Sequence, residues 1–209
     1  MSLSNLATAA DLEAYLQRGP LNADAADVAL RIASAAIRRF TRQTITFVEN
    51  ETVLLEGGER VLKLPQRPVT VNDLHPLTVM ELPDGSGVEV PAVEGRDFVR
   101  QGSELQRGQP YYAATRTMGY PWGRPLGIWA GQVRVTYSHG YQEIPDDIVG
   151  VCLDLAAATL SNPNRLRSEG VGGESVTYTV ETFGTGSLTS DHRRLLRGFR
   201  CTLGSVTLR

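Results

Sequence analysis

The chain has 209 residues, 41% of them hydrophobic, and a formal net charge of −2. That is enough for one domain or for a small core carrying an insertion. Near-neutrality argues against gripping nucleic acid as the main task, because phosphate neutralisation supplies most of that affinity and calls for a clear basic excess. The beginning lacks the basic region and long apolar run of a signal peptide, and no stretch approaches the roughly 20 apolar residues that span a bilayer. A soluble protein made in a cytoplasm, with no membrane partner, is therefore expected. Lys63 is the only lysine; the arginine excess fits a GC-rich genome, or the value of a planar guanidinium at protein interfaces. Cys152 and Cys201 form no C-x-x-C pair and no cluster with histidine.

Two helices are expected first. Thr8 to Asp11 fits a capping pattern, Leu12, Tyr15 and Leu16 share a face, and Gly19-Pro20 stops the helix. A second helix starts near Asn22 or Asp24. Val28, Ile32, Ala36 and Phe40 recur at spacing four, flanked by Ala25, Ala29 and Ala33, and so many alanines allow a partner helix close approach. Residues 44–137 then change character. Strands are expected at 45–48, 52–55, 61–64, 69–74, 79–82, 88–93, 97–100, 111–115 and 132–137, with Gly57-Gly58, residues 65–68 and Pro83-Asp84-Gly85 as turns. Residues 121–128 read as a loop. A third helix opens at Ile144-Pro145-Asp146-Asp147, where proline suits the first position and the aspartates suit the helix dipole. It carries Ile148, Cys152, Leu155 and Thr159 at helical spacing and ends at Asn162-Pro163. A polar loop at 164–174, a strand at 175–181 and a short helix near Ser190 follow, the helix with an apolar stripe of Leu195, Leu196 and Phe199. The tail at 201–209 reads as an extended arm. The fold class is α+β: a bundle of about four helices from 1–43 and 138–209, an inserted antiparallel β module at 44–137, and a C-terminal strand or arm.

Chemistry is sparse. His75, His139 and His192 have no second ligand at metal spacing. There is no G-x-S-x-G elbow and no Walker loop. Gly170-Val171-Gly172-Gly173 lies between a helix and a strand, the wrong order for offering helix-terminal amides to phosphate, and reads as a loop. Tyr111-Tyr112, Tyr120-Pro121-Trp122 and Trp129 suit β-core packing or a partner contact better than a stacking platform. No catalytic, cofactor or metal residues are assigned, and no enzyme activity is expected. The last third reads instead as an assembly region.

The segment from Val135 to Ile148, V-T-Y-S-H-G-Y-Q-E-I-P-D-D-I, resembles a pattern of the head-to-tail connector proteins of tailed bacteriophages, the adaptors that form a ring beneath the portal. The pattern is a strand ending in Gly140-Tyr141 and then Pro145-Asp146-Asp147 opening a helix. A helix end near Pro163 follows, then a polar Ser168-Glu169-Gly170-Val171-Gly172 stretch, a strand with Ser175, Val176 and Tyr178, and a last helix rich in Leu and Arg. The match covers about the first 45 and last 70 residues; smaller members join the second helix to the Gly-Tyr strand with less chain. The resemblance implies a structural virion protein of the neck, made in a host bacterial cytoplasm and needing no cofactor. Its partners would be further copies of itself in a ring (dodecameric, to follow portal symmetry), the portal, and a stopper or tail-completion protein. DNA would pass through the ring without sequence-specific binding. Arg193, Arg194, Arg197, Arg200, Thr202, Leu203, Val206, Leu208 and Arg209 are the expected subunit or portal contacts. Another neck or tail-completion protein is the alternative; a nucleic-acid-binding or ligand-binding domain is a further one.

Overall fold

The computed structural model describes residues 3–82, 88–108, 127–161, 168–171, 174–177 and 188–201. The described residues divide into two compact units, one drawn from 3–46 and 141–201 and the other from 47–140. The fold is α+β, with four α-helices and antiparallel sheets among the described residues.

The first unit holds α1 (Ala9–Leu16), α2 (Ala23–Thr41), α3 (Asp146–Ser161), the strands β9 (Ser168–Val171) and β10 (Glu174–Thr177), α4 (Ser190–Leu196) and a 3-10 turn (Arg197–Phe199). Thr8 closes the capping box read from the sequence: its hydroxyl accepts from the Asp11 amide, and the Asp11 carboxylate accepts from the Thr8 amide. The exit of α1 differs from expectation. Gln17, not Gly19, takes the left-handed conformation (φ 49°), and its amide donates to the Ala14 carbonyl. Arg42 ends α2 the same way (φ 57°), donating to Arg38 O at 2.8 Å. Each hydrogen bond offsets the cost a side chain meets in that region.

The face of α2 that packs inward is also not the expected one. Ala26, Ala29, Leu30, Ala33, Ser34, Ile37 and Thr41 are buried, whereas Val28 and Ile32 remain 42% and 38% exposed. Ala26, Ala29 and Ala33 let the helices draw close. Ser34 adds a polar reason: its hydroxyl accepts the Leu6 amide at 3.0 Å in the core and lies 3.6 Å from Cys152 Sγ. On α3, Ile148, Val151, Cys152, Leu155 and Ala156 complete this core, with Leu12 from α1 and Leu196 from α4. Thr159 is half-buried and bonds back to the Leu155 carbonyl. Burial pushes the Cys152 thiol above its ordinary pKa. Leu196 is fully buried and Phe199 packs against the core, but Leu195, expected in the same stripe, is 49% exposed.

The second unit is organised around β8 (Gln132–His139), whose alternation buries Val133, Val135 and Tyr137. One antiparallel sheet runs β1 (Val48–Glu56), β8, β4 (Thr78–Leu82), β5 (Val90–Ala92), with β3 (Val69–Thr70) also on β8. The other runs β2 (Val61–Lys63), β7 (Glu104–Arg107), β6 (Phe98–Gln101). Leu62, Leu64, Val79, Phe98, Leu105 and Trp129 pack with β8's inward residues to form its core.

Several expected strands shift. Residues 45–48 do not form one, because Ile45 has a positive φ of 67°; β1 starts at Val48 and absorbs the strand expected at 52–55. The run expected at 69–74 stops at Thr70, since the Asn72 side chain accepts from the amides of Leu74 and His75 and turns the chain. The strands expected at 88–93 and 97–100 contract or shift to β5 and β6. β7 was not expected; it follows β6 through Gly102-Ser103, with Gln101 opposite Glu104. In the first unit β9 occupies part of the expected polar loop, and β10 begins one residue before the strand expected at 175–181, whose residues 178–181 lie outside the described ones. The strand expected at 111–115, most of the loop at 121–128, the Pro83-Asp84-Gly85 turn and the arm after Cys201 lie outside the described residues.

Candidate assembly surface

The residues singled out around the third helix sit where the chain passes back into the helical unit. β8 ends at His139, and Gly140 turns the chain at φ 92°, a value that suits glycine. Its amide donates to the Pro68 carbonyl at 2.9 Å. Tyr141 then donates its amide to Ile45 O at 2.7 Å, forms a bridge with Thr46, and sets its ring edge-on to Phe199 at 6.2 Å. Pro145 precedes the first helical residue instead of occupying it, and its carbonyl accepts from Ile148 and Val149. Asp146 and Asp147 occupy the first turn of α3, where the unpaired amides of a helix start favour negative charge.

Glu169 lies in β9 opposite Val176, and Ser175 in β10 opposite Gly170. Gly172 and Tyr178 lie outside the described residues, as do Thr202, Leu203, Val206, Leu208 and Arg209. Arg193 and Arg194 are exposed on α4, the latter 3.4 Å from Asp191; Arg197 and Arg200 are exposed around the 3-10 turn. The Arg200 guanidinium lies 5.6 Å from the centre of the Phe40 ring, and Cys201 donates its amide to Thr41 O. The arginine-bearing segment is thereby fastened to the end of α2.

His192 was read only as a histidine without a metal partner. It is a capping residue: its Nδ1 accepts from the Thr189 amide, while Nε2 lies 2.7 Å from Asp154 Oδ2 on α3. The Tyr15 hydroxyl donates to the same carboxylate at 3.5 Å, and burial followed by that charge raises the phenol's pKa. One carboxylate thus ties α1, α3 and α4 together. The carboxylate partner of His192 lies 38 residues away in the sequence. His139, in the second unit, is fully buried with Nε2 2.5 Å from Glu51 Oε2.

Among the described residues no group of three or more His, Cys, Asp or Glu could hold a metal ion, and no helix is long and apolar enough to cross a membrane. The second unit has an open cavity of about 410 Å³ lined by Glu81, Arg96, Asp97, Arg107, Ile128 and Trp129, among others. Its polar groups are engaged with each other. Arg107 grips Glu81 with two parallel bonds of 3.0 and 2.9 Å and donates to the Asp97 carbonyl. Asp97 accepts from Arg96 and from the Val93 amide; the Arg96 guanidinium holds its carboxyl below the usual range, the Val93 amide adding to this and burial opposing it. Trp129 donates to Leu105 O beneath the Arg107 guanidinium. The network braces one sheet of the unit against the other.

No protein-family model matches this chain, and no curated protein does.

Among the described residues of the first unit, the exposed large apolar side chains are Leu3, Tyr15 on α1, Val28 and Ile32 on α2, and Leu195 on α4.

Proposed function

We propose that this protein is a structural adaptor of a phage neck, forming a ring beneath the portal and leaving a channel for DNA. The observation that carries the reading is the order of elements around Gly140-Tyr141. A strand ends there, Pro145-Asp146-Asp147 opens α3, a short ribbon follows, and an arginine-rich last helix closes the unit against the Ala-rich α2. That order is the one on which the resemblance to connector proteins rests. The exposed apolar residues Val28, Ile32 and Leu195 support it, since they lie on helices whose other sides are already packed. A head-to-tail contact between identical chains closes into a ring when the rotation per copy allows. The near-neutral charge suits a channel through which DNA slides and is not held.

The test is negative-stain microscopy of the purified protein, alone and mixed with portal particles. Rings, or a collar added to the portal, are expected. A chain that stays monomeric and never adds to portal overturns the reading. The second reading, a stopper or tail-completion protein of the same neck, draws on the separate β unit with its own core. It predicts binding to an adaptor–portal complex and none to the portal alone.

A further inference from the structure

Among the described residues β9 and β10 pair only with each other. Their register runs from Glu174 opposite Val171 to Thr177 opposite Ser168, and only two residues of chain join them. A lone two-stranded hairpin is marginal in water, because it buries little and leaves both outer edges unpaired. In an antiparallel pair alternate residues turn their amide and carbonyl groups away from the partner strand, so each outer edge carries donors and acceptors that no described strand takes up.

The two outer strands of the larger sheet are blunted. β5 carries Pro91, which withdraws a donor, and β1 is broken by a bulge between Val48 and Glu51. The hairpin strands, Ser168-Glu169-Gly170-Val171 and Glu174-Ser175-Val176-Thr177, contain no proline, and their charged residues are Glu169 and Glu174. The two edges differ in sequence. Pairing one with itself would give a closed dimer; pairing one with the other gives a head-to-tail joint that repeats around an axis.

We propose that the hairpins of neighbouring copies join edge to edge, β10 of one copy against β9 of the next, as a continuous antiparallel band around the ring. Hairpins related by rotation about one axis present these two strands antiparallel, so the alternation within each hairpin continues across every joint. The backbone supplies the bonds, and the second copy of the chain is the partner. This inference rests on the ring reading above and adds the element that closes the ring.

The experiment uses two full-length variants, Ser168→Cys and Thr177→Cys; the native Cys152 and Cys201 are buried and do not compete. Each is assembled alone and as an equal mixture, oxidised, and run on a non-reducing gel. Linked chains are expected from the mixture and from neither variant alone. Links within one variant alone mean that like edges pair, and they overturn the proposal. So does the absence of links in mixed rings that form normally, an outcome that leaves the adaptor reading standing. Failure of the parent protein to form rings or to join portal overturns both. Hydrogen exchange on the unmodified protein is the second measurement. The amides of 168–171 and 174–177 are expected to slow by about tenfold or more on ring formation; unchanged exchange in rings overturns the proposal independently of the cysteines.

Discussion

At the scale of single residues, the charged pair Glu81–Arg107 has the sharpest energetic consequence. Both side chains are largely withdrawn from water, and their two bonds are well aligned. Removing Glu81 leaves the largely buried Arg107 with only the more distant Asp97 carboxylate, 3.9 Å away, as a described charge partner, and breaking a buried pair typically costs about 3–5 kcal/mol. Glu81→Ala is expected to lower the stability of the β unit by about that much in urea unfolding, whereas replacing both residues with apolar ones of similar volume restores most of it. Asp97 predicts a pH effect. Its folded pKa is depressed, chiefly by Arg96, so its contribution is complete above the unfolded value of about 3.9 and is lost as pH falls through the lower folded one. Asp97→Asn should therefore weaken the pH dependence of unfolding below about pH 4 and lower stability at neutral pH. Guanidine unfolding at several pH values reads both. Gly57 shows a different constraint: a Cβ there would lie 1.7 Å from the Ala130 carbonyl oxygen, so no other residue fits without moving the backbone ahead of β8.

At the scale of elements, legibility in the sequence followed the length of the pattern. α1, α2, α3 and β8 were readable because their caps and periodicities extend over many residues. The buried side of α2 was not, because two rows of residues at spacing four compete along it. The row with the larger side chains, Val28 and Ile32, looked like the core. The row that packs is the one whose small residues admit a neighbouring helix and whose Ser34 answers the Leu6 amide, a partner 28 positions away. Ala33→Leu tests the closeness of that packing. A buried alanine in a filled core leaves no room, so a loss of about 1–3 kcal/mol is expected by thermal or chemical unfolding. Short strands were hardest. β7 lacked a strong alternation, and only the Gly102-Ser103 turn marked it. Of the residues proposed for assembly, Gly140, Tyr141, Asp146 and Asp147 lie at the expected strand end and helix start, whereas Pro145 precedes the helix. Only Arg193 and Arg194 of the four arginines lie on the last α-helix; Arg197 opens the 3-10 turn and Arg200 follows it. The roles of His192 and Asp154 were illegible because the contact joins distant elements.

At the scale of the whole molecule, the helical unit is assembled from both ends of the chain, and its last described link is the Cys201 amide on Thr41. Truncation after Cys201 keeps that link. It should leave the thermal midpoint within a few degrees, a shift of less than about 1 kcal/mol, while impairing ring or collar formation in electron microscopy. A truncated chain that unfolds assigns residues 202–209 to the core. One that assembles normally removes them from the interface.

Thr46 and Tyr141 are bridged, and Val48 lies opposite His139 just beyond. Among the described residues, the chain therefore enters and leaves residues 47–140 at neighbouring positions. Such neighbouring crossings make residues 47–140 a cassette. It can be gained, lost or exchanged in one genetic event without rebuilding the helices, because the cut ends already lie within reach of a short linker. A chain in which glycines join Thr46 to Tyr141 should retain its helical circular dichroism, and it would show what the helical unit assembles into once freed of its passenger.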